Sequence, residues 1–224
     1  LQIATIGPTL DIDYSDNRFL PTRGSITRFS IDYSHPSLGS SNGVDFFRAE
    51  AAHTVYTRLG SPNFVWANSI RGGYLRNLSD DPGSGVPTSY AFLLGGIYSV
   101  RGFDSFSASE RIPKDQTDRN GNKFKVERGN EKLIHSNSQY YLVRSELRFP
   151  IYDVHGGVLF YDGAGVRISG YDFDRPYRDA VGFGYRYNTP VGPLAADIAF
   201  KLNPDQDTGR REQIFRFHLS IGTF

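Results

Sequence analysis

The chain has 224 residues, with 25 Lys and Arg against 24 Asp and Glu, for a net charge of +1. So even a balance gives no basis for a nucleic-acid partner. The absence of Cys excludes disulfides, thiolate metal sites and cysteine nucleophiles. Met is absent as well, and no basic-then-apolar stretch opens the chain, so a mature or excised piece of a protein is expected. The longest near-apolar run, 90–100, is too short to cross a bilayer as a helix. With 17 Phe, 14 Tyr and 24 Gly, the composition points to an all-β protein.

Nine segments alternate with period two. In 3–14, Ala4, Ile6, Leu10, Ile12 and Tyr14 oppose Thr5, Thr9, Asp11 and Asp13. In 25–34, Phe29, Ile31 and Tyr33 oppose Arg28, Ser30 and Asp32. In 44–59, Phe47, Ala49, Ala51, Val55 and Leu59 oppose Arg48, Glu50, Thr54 and Arg58. Segment 64–75 alternates less cleanly, with Phe64, Trp66, Ile70 and Tyr74 on one face. After a long irregular stretch, 140–149 sets Tyr141, Val143, Leu147 and Phe149 against Arg144, Glu146 and Arg148. Then 157–166 sets Leu159 and Tyr161 against Phe160 and Asp162, and 180–187 sets Val181, Phe183, Tyr185 and Tyr187 against Gly182, Gly184 and Arg186. In 194–202, Leu194, Ala196, Ile198 and Phe200 oppose Asp197 and Lys201. The last, 214–221, sets Phe215, Phe217, Leu219 and Ile221 against Arg216, His218 and Ser220.

A soluble sandwich with one wet face alternates in the same way. Two features favour a transmembrane antiparallel β-barrel. The segments have about the nine to eleven residues that a tilted strand needs to cross a bilayer. One face is rich in Phe, Tyr and Leu along its whole length while the other carries Arg, Glu and Asp, as lipid outside and water inside require. From 60–63 onward short and long connections alternate: 60–63, 76–139, 150–156, 167–179, 188–193, 203–213. Outer-membrane barrels have short periplasmic turns and long outer loops, which places 60–63, 150–156, 188–193 and, by parity, 15–24 on the periplasmic side. Nine strands that start outside and end in the periplasm cannot be a whole barrel: either a further strand escapes this reading or the sequence is the C-terminal part of a longer protein, which the absence of Met and of a leader favours.

The long loop contains Leu94-Gly95-Gly96-Ile97-Tyr98-Ser99-Val100-Arg101-Gly102-Phe103. This string resembles the VRGF loop motif of the outer-membrane assembly barrels, the BamA and TamA family, whose relatives include two-partner secretion transporters. Three more strings are similar to family features: SDNRFLPTRG from Ser15, a periplasmic turn; NTPVGPL from Asn188, the turn before the penultimate strand; and FRFHLSIGTF from Phe215, a terminal strand with a C-terminal aromatic. The resemblance spans essentially all of 1–224 and implies the last nine strands of a 16-stranded barrel. Loop 76–139 then folds into the lumen, and the N-terminal strands and periplasmic repeat domains lie outside this sequence. It further implies that Arg101 meets Glu146 and Asp162 on the inner wall. A guanidinium held bidentate by carboxylates is strong and directional, and would tether the loop; ordinary water-facing lumen charges are the alternative. Gly95, Gly96 and Gly102, flanking Val100 and beside Phe103, suit a backbone that turns sharply against a wall, or are simply loop glycines.

The function implied is insertion of client barrel proteins through a weak seam between first and last strands, in a cell outer membrane. No cofactor follows. The partners are the lipid bilayer, client outer-membrane proteins and accessory lipoproteins. Phe215, Phe217, Leu219, Gly222 and Phe224 would form the seam strand, with Gly222 weakening it, or serve as the terminal signal for the protein's own insertion. A polypeptide-secretion transporter and a passive porin-like barrel compete with this reading. Weaker motifs add little. Gln116–Glu127 nearly matches a calcium loop through Asp118, Asn120, Gly121 and Glu127, but a hairpin turning at Asn120-Gly121 is simpler. His218 is expected to face the lumen. No catalytic triad emerges, and Gly83-Ser84-Gly85 lacks the setting of a nucleophile elbow, so no enzyme is expected.

Overall fold

The computed structural model describes residues 1–60, 64–81, 83–104, 106–107, 117, 121, 123–128, 131–171, 177–190, 192–204 and 213–221. In chain order the strands are β1 (Thr5–Ile6), β2 (Thr9–Asp13), β3 (Gly24–Ser34), β4 (Phe46–Leu59) and β5 (Phe64–Asn77). The long loop carries the short strands β6 (Val86–Pro87), β7 (Leu93–Leu94), β8 (Phe106–Ser107), β9 (Lys125–Arg128) and β10 (Glu131–Ile134). The wall resumes with β11 (Ser138–Tyr152), β12 (His155–Ile168), β13 (Tyr177–Thr189), β14 (Gly192–Lys201) and β15 (Phe215–Ile221).

One antiparallel sheet runs β3-β4-β5-β11-β12-β13-β14-β15, with β1 and β2 both on the outer edge of β3. The nine alternating segments are its nine strand positions. The excursion between β5 and β11 does not interrupt pairing: Leu75 faces Ser138 and Val65 faces Arg148. Among the described residues no pairing joins β15 to β1 or β2, so the sheet has two edges.

The first position departs from the sequence reading, which takes 3–14 as one continuous strand. It breaks at Gly7-Pro8, because Pro8 has no N–H for the ladder and its carbonyl instead accepts from Ile31 N–H at 3.1 Å. Gly7 lies so close to Ile31 that a Cβ would sit 1.7 Å from its carbonyl oxygen. Backbone contact this close is where a strand admits only glycine.

One face of the sheet is an apolar wall. Trp66, Ile70, Tyr141, Leu159, Phe183, Phe217 and Leu219 all point outward and are exposed, Leu219 by 71%. A water-facing sheet would hide such residues; a lipid-facing one displays them. The opposite, concave face is not uniformly wet. Near its loop end Val44, Phe46, Leu75, Leu142, Val166 and Ile168 pack against Val86, Phe92, Leu94, Val100, Phe103 and Phe124 of the long loop. The largest core of the chain is therefore made by sheet and loop together.

Candidate functional site

The tip of the long loop is shaped by its own backbone. Gly95, Gly96 and Gly102 have φ of +87°, +79° and +96°, values that residues with a Cβ adopt at a cost. Gly96 N–H donates to the Phe103 carbonyl at 2.8 Å and Ser99 N–H to the Gly96 carbonyl at 3.2 Å, closing the tip on itself. Val100 and Phe103 enter the apolar core, Phe103 with no exposed surface. The ring of Phe103 is met by two cations of the wall: the Arg178 guanidinium and Lys201 Nζ each lie 5.0 Å from its centre. Between Val100 and Phe103 the backbone turns Arg101 toward the middle of the sheet.

Arg101 is 1% exposed. Its Nε donates to Asp162 Oδ2 at 2.6 Å and its Nη2 to Asp162 Oδ1 at 2.8 Å, a two-pronged pair. Its backbone N–H donates to Asp162 Oδ2 at 3.1 Å. Nη1 donates to Glu146 Oε1 at 2.7 Å and to Asp197 Oδ2 at 3.1 Å. The guanidinium lies over the Phe160 ring at 3.5 Å. Burial alone would favour losing the proton, but Asp162, then Glu146 and Asp197, reverse this and hold the side chain more firmly charged than in water.

Three further arginines complete the cluster. Arg144 Nε donates to Asp162 Oδ1 at 3.2 Å, and its Nη2 to the Ile97 carbonyl in the loop at 3.3 Å. Arg148 Nε donates to Glu146 Oε2 at 3.1 Å. Arg186 pairs with both oxygens of Asp197, its Nη2 donating to Oδ2 at 3.1 Å. Beneath them a cavity of about 270 Å³ reaches the short turns of the sheet; it is lined by Tyr98, Arg148, Pro150, Asp153, Arg186 and Pro193 among others.

The wall is cut to admit this cluster. On the inner face of β13, positions 182 and 184 are glycines. A Cβ on Gly182 would lie 2.3 Å from the Phe160 ring and 2.2 Å from the Ile198 carbonyl; one on Gly184 would lie 1.8 Å from Asp197 Oδ1. Phe160 and Asp197, from the strands on either side, occupy the space above bare backbone.

The structure thus brings Arg101, Glu146 and Asp162 together and puts Gly95, Gly96, Val100, Gly102 and Phe103 in the tip around them. Phe215, Phe217 and Leu219 lie on the outer face of β15; Gly222 and Phe224 fall outside the described residues. So do Gln116, Asp118 and Asn120 of the near-calcium string; Thr117 and Lys123 form an isolated antiparallel bridge. Among the described residues no group of three His, Asp or Glu side chains is arranged to hold a metal ion. Asp197 was missed as the third acid. Its signal was present: alternation puts it on the polar face of a strand two places from Asp162, but parity does not give height along the wall. His218 faces the lumen and accepts the Gly102 N–H at 3.0 Å.

Comparison with known proteins bears on this arrangement. The chain is 26% identical over 214 residues to "Outer membrane protein assembly factor BamA" of Nitratidesulfovibrio vulgaris, covering 95% of this chain and 24% of that protein. It is 28% identical over 141 residues to "Outer envelope protein 80, chloroplastic" of Arabidopsis thaliana, covering 59% of this chain and 14% of that one. The chain therefore spans about a quarter or less of the length of these relatives. The crystal structure of BamA from Haemophilus ducreyi lacking POTRA domains 1–3 superposes with a TM-score of 0.66 at 20% identity, over 95% of this chain and 41% of that one. Residues 2–224 match the Omp85 superfamily domain. A match running the length of the chain, on a sheet that is greasy outside and charged within, makes this protein a member of the Omp85 superfamily and an integral outer-membrane β-barrel.

Proposed function

We propose that the chain is the C-terminal part of the barrel of an outer-membrane assembly factor, which folds and inserts client barrel proteins. Arg101, Glu146 and Asp162, with Asp197, form a clamp that seats the long loop on the inner wall. The short turns face the periplasm. The terminal strand supplies a seam edge on which an incoming strand pairs by backbone hydrogen bonds. One observation carries this reading: the loop is buried into the concave face and fixed by an ion cluster, so the lumen is occupied where a porin would be open. The likeness to a BamA protein over nearly the whole chain supports it too.

The test uses the parent protein reconstituted in liposomes of outer-membrane phospholipids. A urea-unfolded eight-stranded barrel is added and its folding rate measured beside the membrane conductance. Deleting residues 78–137 is expected to abolish the acceleration of client folding while leaving conductance low. A large steady conductance, with client folding never accelerated by the intact protein, would overturn the assembly reading in favour of a secretion transporter.

A further inference from the structure

The loop tip is tied to the edge strand as well as to the wall. Gly102 N–H donates to His218 Nε2 at 3.0 Å, and the Asp104 carboxylate takes both Nη atoms of Arg216, Nη2 at 2.6 Å. Arg216 and His218 are two residues apart on the inner face of β15. The two tip residues that reach them, Gly102 and Asp104, flank Phe103 and directly follow Arg101. One stretch of four residues therefore joins the centre of the wall, through Arg101, to the edge strand. His218 can accept this bond only with Nε2 unprotonated, so the ring is neutral and carries its proton on Nδ1. Among the described residues β15 pairs with β14, from Leu194↔Ile221 to Phe200↔Phe215, and the loop tip touches it from the inner side through His218 and Arg216.

We propose that residues 101–104 act as a latch on the terminal strand, with His218 and Arg216 as positioning residues that couple the seating of the loop to the order of β15. This rests on the assembly reading for its use: release of the tip frees the edge that an incoming strand would pair with. The latch itself is a property of the fold. Substituting His218→Phe removes the acceptor but keeps a ring; Asp104→Arg opposes Arg216 with a like charge.

The experiment is hydrogen exchange on the full-length parent protein in lipid nanodiscs, comparing 215–221 with 138–168. Each substitution is expected to speed exchange in 215–221 about 2- to 10-fold, the worth of one exposed or half-buried polar contact, with 138–168 unchanged. The charge-swapped pair Asp104→Arg with Arg216→Asp is expected to bring 215–221 back toward the wild-type rate. Unchanged exchange in 215–221, or an equal rise in every strand, would overturn the latch. Client folding on the same variants separates the two ideas. Faster exchange in 215–221 with an unaltered client rate supports the latch and removes the assembly reading; altered client folding without faster exchange removes the latch.

Discussion

Replacing Arg101 by Ala separates geometry from charge counting. Four guanidiniums (Arg101, Arg144, Arg148, Arg186) surround three carboxylates (Glu146, Asp162, Asp197). Counting alone predicts that Arg101→Ala improves the balance. Geometry predicts the opposite. The substitution deletes four side-chain hydrogen bonds and leaves the fully buried Asp162 with the residue 101 backbone N–H at 3.1 Å and Arg144 Nε at 3.2 Å in place of the two-pronged pair. Removing one member of a buried ion pair costs about 3–5 kcal/mol. At about 1.4 kcal/mol per tenfold, the seated-to-released ratio of the loop tip falls by roughly 150- to 4000-fold. Exchange of the Gly96 amide, whose bond to the Phe103 carbonyl closes the tip, reads that ratio directly. Arg101→Lys keeps the charge but not the fork, and is expected to recover less than half of the loss in free energy. If Arg101→Ala left tip exchange at the wild-type rate, the ion cluster would not be what seats the loop, and the apolar packing around Phe103 would carry it alone.

Three other substitutions test the parts separately. Phe103→Ala empties a fully buried ring site without touching the ion cluster; it is expected to cost about 3–5 kcal/mol and to raise tip exchange, with the thermal midpoint of the detergent-solubilised barrel falling less than tip protection. Gly182→Ala drives a methyl into the Ile198 carbonyl and the Phe160 ring, and an overpacking cost of about 1–3 kcal/mol is expected as a lower unfolding temperature together with a loosened tip. In the turn between β2 and β3, slight burial of Asp16 is outweighed by bonds from the Thr22 hydroxyl and the Thr22 and Arg23 amides, which hold its carboxyl down at about 2. Because the folded value lies below the ordinary 3.8, the stabilisation is complete above about pH 4 and is lost as pH falls through 2. Protection of the Thr22 and Arg23 amides is expected to fall over that window, and Asp16→Asn to remove the dependence.

The strands were legible because lipid and lumen impose a period of two, clean from Phe29-Ile31-Tyr33 to Phe215-Phe217-Leu219 and looser in 64–75. The break at Gly7-Pro8 was not read: Pro8 cannot donate, but the alternation carries unbroken across it and reads as one strand. Less of the site could be read. Parity assigns a residue to a face; it does not say which polar residues share a height, because height depends on the stagger between neighbouring strands. Asp197, Arg144 and Arg186 were therefore polar-face residues without a stated partner. The dry half of the lumen was hidden for a different reason. Val44, Phe46, Leu75 and Leu142 face inward, against the expectation of a wet interior, because the loop brings Phe92, Val100 and Phe103 to meet them. Nothing local in either set of residues announces the other.

The loop is thus held by two attachments of different character, and the difference bears on function. The apolar packing at the loop end is large and rests on shape rather than on directed bonds. The ion cluster is the reverse. Gathering four arginines and three acids costs desolvation that buried apolar residues would avoid, and replacing such clusters with hydrophobic side chains is often neutral or stabilising. What the cluster supplies is position: a two-pronged pair to Asp162 admits one placement of Arg101, and that placement sets Gly102 against His218 and Asp104 against Arg216. A permanent plug would be served better by extending the Phe92–Phe103 core downward. A loop whose tip must find one seat is served better by the two-pronged pair of Arg101 with Asp162, set above a cavity that Arg148 and Arg186 help to line.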